Sequence, residues 1–314
     1  MRIFPVLVVT AFMVTGCTGA PPLPNSSPSG EAPPTVSAPD EPEAQGTDAT
    51  SQLGSLGDIS ELPYEGVSAH LEALDSGYRL FYASTTAGGQ VVSECDPSFA
   101  CETRAVLDRM SDLTVIETGS GVRRGFWVEM NPDTAMKEIY SGEISDDGTT
   151  VMARDSLGYS GDISWGVPDA VTLPDGRVRI YWVVPGDGRA SERIVSATST
   201  DTNATIFEMD EGFRLEGGWV DFEVLAAEDG NWLAVMSSSP ETLPESPQGV
   251  FLATSQDGIQ WVVDSASLTP SDMSYLDPTG VRNDDGTYTL VMSVAPNELG
   301  TRTYTLASAT LSLR

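Results

Sequence analysis

Two residue types that carry much of enzyme chemistry are almost absent from this chain. Its 314 residues include a single histidine, His70, and three cysteines. A serine or cysteine nucleophile needs a histidine base beside it, and one isolated histidine is poor material for such a site. A tetrahedral zinc site needs four ligands, and the same shortage argues against one. We therefore expect neither a serine- or cysteine-type hydrolase nor a zinc site.

Positive charge is scarce as well. Sixteen lysine and arginine residues stand against 46 aspartates and glutamates, which gives a formal net charge of −30, and Lys137 is the single lysine. A surface of this sign repels phosphate backbones, so we expect no nucleic-acid partner. The acidity indicates solubility and does not identify a reaction.

The chain begins with an apolar run that is too short to cross a membrane. It extends from Ile3 to Val14 after a basic start at Arg2, a pattern typical of an export signal. The run ends in four residues that resemble the lipobox of bacterial lipoproteins, Val14-Thr15-Gly16-Cys17. The resemblance implies a signal peptide over residues 1–16, a diacylated Cys17 and anchoring on the outer side of the cell membrane. An ordinary signal peptide with an incidental cysteine is the alternative.

Large apolar residues are nearly missing from the segment that follows. Residues 17–60 are rich in proline, serine, glycine and acids. Such a segment cannot bury enough surface to offset the entropy of ordering it. We expect a disordered tether that holds the folded part away from the membrane.

The two remaining cysteines lie close together in the sequence ECDPSFAC. They are Cys95 and Cys101. An exported protein meets oxidising conditions, and a short loop with Asp-Pro can be closed by a disulfide. The sequence therefore predicts a Cys95–Cys101 bond.

A cassette with a turn glycine followed by an alternating apolar strand occurs five times. Its third copy is PDGRVRIYWVV (174–184), where Asp-Gly favours a tight hairpin and the residues after it alternate. A period of about 50 residues suits a four-stranded propeller blade. The cassettes predict an all-β fold, a five-bladed β-propeller of antiparallel four-stranded blades over residues 61–314. Helical stretches are conceivable at 102–110 and 131–139, which could equally be loops. The turn glycines, 44 to 56 residues apart, are Gly77, Gly121, Gly176, Gly230 and Gly286.

A second motif has the form Ser-x-Asp-Gly-x-x-aromatic. It occurs over residues 255–261 as SQDGIQW, with weaker copies at 145–151 and 199–205. These segments resemble the Asp-boxes of sialidases, in which the serine and aspartate side chains hold a hairpin together. The resemblance implies a structural role.

The two ends of the folded part are expected to meet. Residues 303–313 form a strand-like segment with no fourth strand after it. A closed propeller often takes the missing outer strand from the other end of the chain. Residues 52–64 are placed to supply it.

Cassettes and Asp-boxes together resemble the five-bladed propeller glycosidases, which include arabinofuranosidases, xylosidases, levanases and invertases. The resemblance extends over residues 64–314. It implies hydrolysis of neutral furanosides or xylosides with inversion, by an aspartate base, a glutamate acid and an aspartate that tunes the acid. A sialidase is a poorer match, because its Arg-Ile-Pro marker is absent.

In that family a residue upstream of each turn glycine faces a central site. By resemblance, Asp112 would be the base, Asp169 the tuning residue and Glu223 the acid, while Trp165, Trp219 and Asp277 would contact the sugar. A register kept from the first cassette puts Ser68 at the base position, and the site would then be inactive. Here the five upstream positions are occupied by Ser68, Asp112, Asp169, Glu223 and Asp277.

Two classes of function remain open at this point. One is a surface glycoside hydrolase; the other is a non-catalytic module that binds a glycan or a surface protein, with the acids in a structural or ligand-binding role. We expect a monomer and no cofactor. A central Ca²⁺ would suit several carboxylates, but no ligand spacing specific to it occurs.

Overall fold

The computed structural model describes residues 51–134, 136–160, 166–228, 230–243, 245–297 and 303–314. The predicted signal peptide, the predicted lipidation site Cys17 and most of the predicted tether lie outside these residues, as does Trp165. No helix among the described residues has the length and apolar character needed to cross a bilayer.

Five antiparallel sheets, here called blades I to V, make up the described part of the chain. The innermost strand of each blade contacts the innermost strands of both neighbouring blades, so the sheets close into a ring. The predicted five-bladed, all-β propeller is confirmed. The stretch at 102–110 and the described residues of 131–139 form strands and turns, and the described residues contain one short 3-10 helix, Pro240–Thr242.

The strands follow one another from the inner to the outer side of each blade. Two strands precede the ring, β1 (Gly54–Leu56) and β2 (Ser60–Glu65). Blade I contains β3 (Val67–Leu74), β4 (Gly77–Ser84), β5 (Gly89–Cys95) and β6 (Cys101–Asp108). Blade II contains β7 (Ser111–Glu117), β8 (Arg123–Met130), β9 (Lys137–Glu143) and β10 (Asp155–Ser160). Blade III contains β11 (Gly166–Thr172), β12 (Val178–Val184), β13 (Arg193–Ser199), β14 (Phe207–Met209) and β15 (Leu215–Glu216). Blade IV contains β16 (Trp219–Glu228), β17 (Asn231–Ser238), β18 (Val250–Ser255) and β19 (Trp261–Val263), and blade V contains β20 (Ser274–Arg282), β21 (Tyr288–Ala295) and β22 (Thr305–Leu313).

Blade V takes its outer strands from the N-terminal side, as predicted. Strands β1 and β2 both pair antiparallel with β22, with Gly54 opposite Leu313 and Ser60 opposite Ser308. The Asp264 carboxylate holds the start of this closing segment, since its Oδ2 accepts hydrogen bonds from Ser51 Oγ at 2.7 Å and from the backbone N–H of residue 52 at 2.7 Å. The propeller thus begins before residue 61.

Four of the five cassette glycines adopt the left-handed backbone conformation that a tight turn requires. Gly121, Gly176, Gly230 and Gly286 have φ between 72° and 86°, a region that side chains with a Cβ rarely enter. The alternating residues after each turn are buried between blades. Between blades III and IV, for example, the Phe222 ring lies 5.0 Å from both the Tyr181 and the Trp261 rings.

The Asp-box over residues 255–261 is a structural turn, as expected. Asp257 Oδ1 accepts the backbone N–H groups of Ile259 at 2.8 Å and Gln260 at 2.9 Å. The turn is fixed to the preceding blade because Tyr181 Oη donates to the Gly258 carbonyl at 2.8 Å. Trp261 is buried behind it.

The predicted disulfide between Cys95 and Cys101 is present. Its loop also holds the closing segment, because Tyr64 of β2 donates from Oη to the Phe99 carbonyl at 2.9 Å. The same oxygen accepts the Cys101 N–H at 2.9 Å. The disulfide loop and the closing strand are therefore joined by one hydroxyl group.

Candidate functional site

Every innermost strand carries an irregularity at the same place. In every blade the pairing of the first and second strands shifts register near the start of the innermost strand, and blade IV has a second shift further along. At the shift that all blades share, one non-glycine residue has a φ between 47° and 53°, and it always lies nine residues before the turn glycine. These five residues form what we call the first ring: Ser68, Asp112, Val167, Asp221 and Asp277.

The upstream residues singled out from the sequence do not share one structural position. Asp169 and Glu223 lie seven residues before their turn glycines, two positions further along the strand than Asp112. They belong to a second ring, whose members are His70, Thr114, Asp169, Glu223 and Thr279. The five upstream residues therefore belong to two rings, and the expectation that they share one position is wrong. Asp221, which the sequence reading missed, occupies the first-ring position in blade IV, and a constant count of nine residues finds it.

In the first ring, carboxylates accept backbone N–H groups from the next blade. Asp277 Oδ2 accepts the N–H of Ser68 at 3.1 Å, and Asp221 Oδ2 accepts the N–H of Asp277 at 3.2 Å. Asp112 is bonded in the same way by the N–H of Val167. Hydroxyl groups of their own blades add further bonds, such as that from Ser293 Oγ to Asp277 Oδ2 at 3.0 Å.

In the second ring, backbone N–H groups of the next blade are accepted by a hydroxyl group and an imidazole as well as by carboxylates. Asp169 Oδ2 accepts the N–H of Val224 at 2.8 Å, and Glu223 Oε1 accepts the N–H of Gly280 at 2.9 Å. Two uncharged side chains do the same, since Thr279 Oγ1 accepts the Leu71 N–H at 3.1 Å and His70 Nε2 accepts the Val115 N–H at 3.2 Å.

These bonds give the axial acids a structural explanation. Each innermost strand is the inner edge of its sheet, so N–H groups on that edge have no strand to pair with, and buried N–H groups need a partner. In both rings the partner is a side chain of the preceding blade. The acids therefore tie each blade to the next around the axis.

Burial controls the protonation of the axial carboxyls. It raises the pKa of Asp169 to about 7. Burial also raises the pKa of Glu223 well above its usual value, and the negative charge of Asp169 adds to the effect. The pKa of Asp277 is raised by burial and then by the charges of Asp221 and Asp112, and burial raises the pKa of those two carboxyls as well. A protonated carboxyl at neutral pH is what a general acid requires.

His70 does not add positive charge to this cluster. Burial lowers the pKa of His70, so its imidazole is neutral near pH 7. Its Nδ1 is buried and has no hydrogen-bond partner among the described residues.

The space that both rings enclose is small. The cavity on the axis measures about 30 Å³ and is lined by residues of both rings together with Pro168 and Pro278. A water molecule occupies about 30 Å³ of the liquid, whereas small-molecule sites measure about 300–1,000 Å³. A sugar ring does not fit between the axial acids in this conformation.

Of the residues predicted to contact a sugar, the two that the structure describes do not form a platform over the axis. Trp219 lies at the start of β16, where its ring packs edge-on against Phe251 at 5.0 Å. Asp277 is buried in the first ring, and Trp165 lies outside the described residues. Across the described ranges, no group of three or more His, Cys, Asp or Glu side chains is arranged to hold a metal ion.

Comparison with known proteins finds similarity at the level of fold. No family model and no curated protein matches the chain. Among solved structures, it is similar to a xylan β-1,4-xylosidase from Bacillus halodurans C-125 (TM-score 0.56, 11% identity), with 78% of this chain and 53% of that one covered. It is also similar to an endo-arabinase from Bacteroides thetaiotaomicron VPI-5482 (TM-score 0.56, 12% identity), with 79% and 95% covered.

A third similar structure is an endo-1,4-β-xylanase from the same Bacteroides strain (TM-score 0.56, 14% identity), with 79% and 91% covered. The chain spans about half the length of the xylosidase. At these identities the likeness shows the fold alone, and the propeller fold agrees with what the sequence resemblance implied.

Proposed function

We propose that this protein is a membrane-anchored propeller that binds carbohydrate without hydrolysing it. The observation that carries the proposal is the closed axis. The acids that would perform hydrolysis accept backbone N–H groups of the neighbouring blade, and the cavity between them measures about 30 Å³. A substrate would have to displace the bonds that join the blades.

Carbohydrate is the ligand class that the fold supports best, because the similar solved structures named above are a xylosidase, an endo-arabinase and a xylanase. The export signal and the lipobox-like residues before Cys17 support anchoring on the outer side of the cell membrane. In that position the module would meet extracellular polysaccharide.

Hydrolysis is the second candidate, and one observation favours it. Burial raises the pKa of Asp169 to about 7, and burial together with the charge of Asp169 raises the pKa of Glu223 well above its usual value. An acid held in its protonated form could donate to a glycosidic oxygen, with Asp112 as base and Asp169 as the tuning residue. This reading requires the axis to open.

Two measurements on the mature protein test the proposal. The first is release of the aryl group from aryl arabinofuranosides and aryl xylosides, with Glu223→Gln as the matched variant. We expect no release above the buffer rate in either protein, and release that Glu223→Gln abolishes would overturn the proposal. The second is calorimetric titration with xylo- and arabino-oligosaccharides, where binding is expected and its absence throughout the panel would contradict a carbohydrate ligand.

A further inference from the structure

The seams between neighbouring blades are filled by the turns that join third and fourth strands. In blade II this turn is held by blade I, since Arg79 Nη1 donates to the Asp146 carbonyl at 2.9 Å. In blade III the Thr202 carbonyl accepts the Ser120 N–H of blade II at 3.2 Å. In blade IV the turn is held by Tyr181 of blade III.

Blade V cannot fill its seam with blade IV in this way. Its outer strands are β1 and β2, which come from the N-terminal side, so no hairpin turn joins its third and fourth strands. A groove of about 890 Å³ lies at this seam. Its size is within the range of small-molecule sites. Its walls include Glu228, Trp232, Gln256, Gln260, Val262 and Arg282.

The groove offers hydrogen-bond donors and acceptors in balance. Gln256 and Gln260 are exposed, and within the described ranges their side-chain amides make no hydrogen bond. Each amide presents an N–H donor and a carbonyl acceptor. Such a mixture matches hydroxyl groups, which donate and accept at once. It does not match a phosphate or a carboxylate, which only accept.

The charges in the groove also balance. Glu228 Oε1 and Arg282 Nη1 form an ion pair at 2.9 Å across the seam, and the other charged side chains of the lining are Asp257 and Arg314. In a chain of net charge −30, this local neutrality favours an uncharged ligand. Val262, which is 71% exposed, adds apolar surface for the C–H faces of a sugar.

We infer that the open seam between blades IV and V binds a neutral oligosaccharide, away from the propeller axis. The inference rests on the proposed function and gives it a location. It also explains why the binding surface does not need the axial acids, which remain bonded between blades.

The test is titration calorimetry of the mature protein with xylohexaose and arabinohexaose. The double variant Gln256→Ala/Gln260→Ala removes two exposed amides without touching the core. We expect about a tenfold increase in Kd, since two hydrogen bonds of typical strength are lost. The matched control is Asn203→Ala, which removes an exposed amide from the corresponding turn of blade III and should leave Kd unchanged.

The outcomes separate this inference from the function it rests on. If the unmodified protein binds and the double variant binds equally well, the seam is not the site, while carbohydrate binding stands. If no oligosaccharide binds to the unmodified protein, both proposals are overturned. An equal loss in Asn203→Ala would show that the effect is not specific to the seam and would also contradict the inference.

Discussion

Asp169 and Val224 lie in adjacent blades, and the Asp169 carboxylate accepts the Val224 backbone N–H at 2.8 Å. The bond is one of a series in which a second-ring side chain accepts an N–H group from the following blade. A propeller with unpaired N–H groups on its axis would lose stability at every seam. The main role of the axial acids is thus to hold neighbouring blades together. Variants of these acids should therefore be measured for stability before activity.

Two variants of Glu223 separate its role in joining the blades from the negative charge of its carboxylate. Glu223→Ala removes the acceptor of the Thr279 hydroxyl and the Gly280 N–H, so we expect the free energy of unfolding to fall by about 1–3 kcal/mol. Glu223→Gln keeps a carbonyl oxygen for these donors and should be at least as stable as the unmodified protein at pH 8. Urea unfolding measures both. The control is Glu208→Ala, which changes an exposed residue of β14. If Glu223→Ala were as stable as this control, Glu223 would not join the blades.

The raised pKa of Asp169 predicts a pH dependence of a definite sign. Between its ordinary pKa near 3.8 and the folded value of about 7, the folded protein holds a proton that the unfolded chain releases. This contribution to stability is complete below about pH 4 and is lost as the pH rises through 7. Asp169→Asn keeps an acceptor oxygen and does not titrate. Its free energy of unfolding, relative to that of the unmodified protein, should therefore be about 1–4 kcal/mol higher at pH 8 than at pH 5.

Urea unfolding of the two proteins at both pH values checks this. The difference between the two proteins cancels the contribution of His70, which has the opposite sign. Because burial lowers the pKa of His70, its contribution to stability is present above pH 6.5 and is lost as the pH falls through the lowered pKa of the folded protein. Glu208→Gln serves as the titration control. Parallel pH profiles for Asp169→Asn and the unmodified protein would refute the expected linkage.

The repeat spacing was sufficient to predict the architecture, because turn glycines and alternating strands are local signals that survive in each blade. The axial register was not predicted, since the backbone shift before Asp169 changes neither composition nor periodicity. In blade III the first-ring position is occupied by Val167, which is not acidic, so an acidic pattern does not identify it. In blade IV both Asp221 and Glu223 are acidic, and the sequence alone does not show which of them occupies the first-ring position. The need for acceptors arises from N–H groups of the neighbouring blade, and a linear pattern does not contain that geometry.

Asp264 should control the closing segment of the ring. Its carboxylate accepts from Ser51 Oγ, and from the backbone N–H groups of residue 52 and Leu53, the last at 3.0 Å. Asp264→Ala removes all three bonds, so we expect a loss of about 2–3 kcal/mol and faster hydrogen exchange over residues 51–56. Exchange measured by mass spectrometry gives the location. Asp272→Ala, an exposed residue nearby in sequence, is the control, and unchanged exchange in the Asp264 variant would refute this assignment.

Tyr64 should couple the closing segment to the disulfide. Its hydroxyl group bonds both the Phe99 carbonyl and the Cys101 N–H, inside the loop that Cys95–Cys101 closes. Tyr64→Phe should lower stability by about 1–3 kcal/mol, and reduction of the disulfide should lower it by about 2 kcal/mol. Because the loop positions the groups that Tyr64 bonds, the two losses together should be smaller than their sum. Thermal unfolding with and without reductant measures this for the unmodified protein, Tyr64→Phe and the control Tyr140→Phe; strictly additive losses would show that the loop and the closing strand are independent.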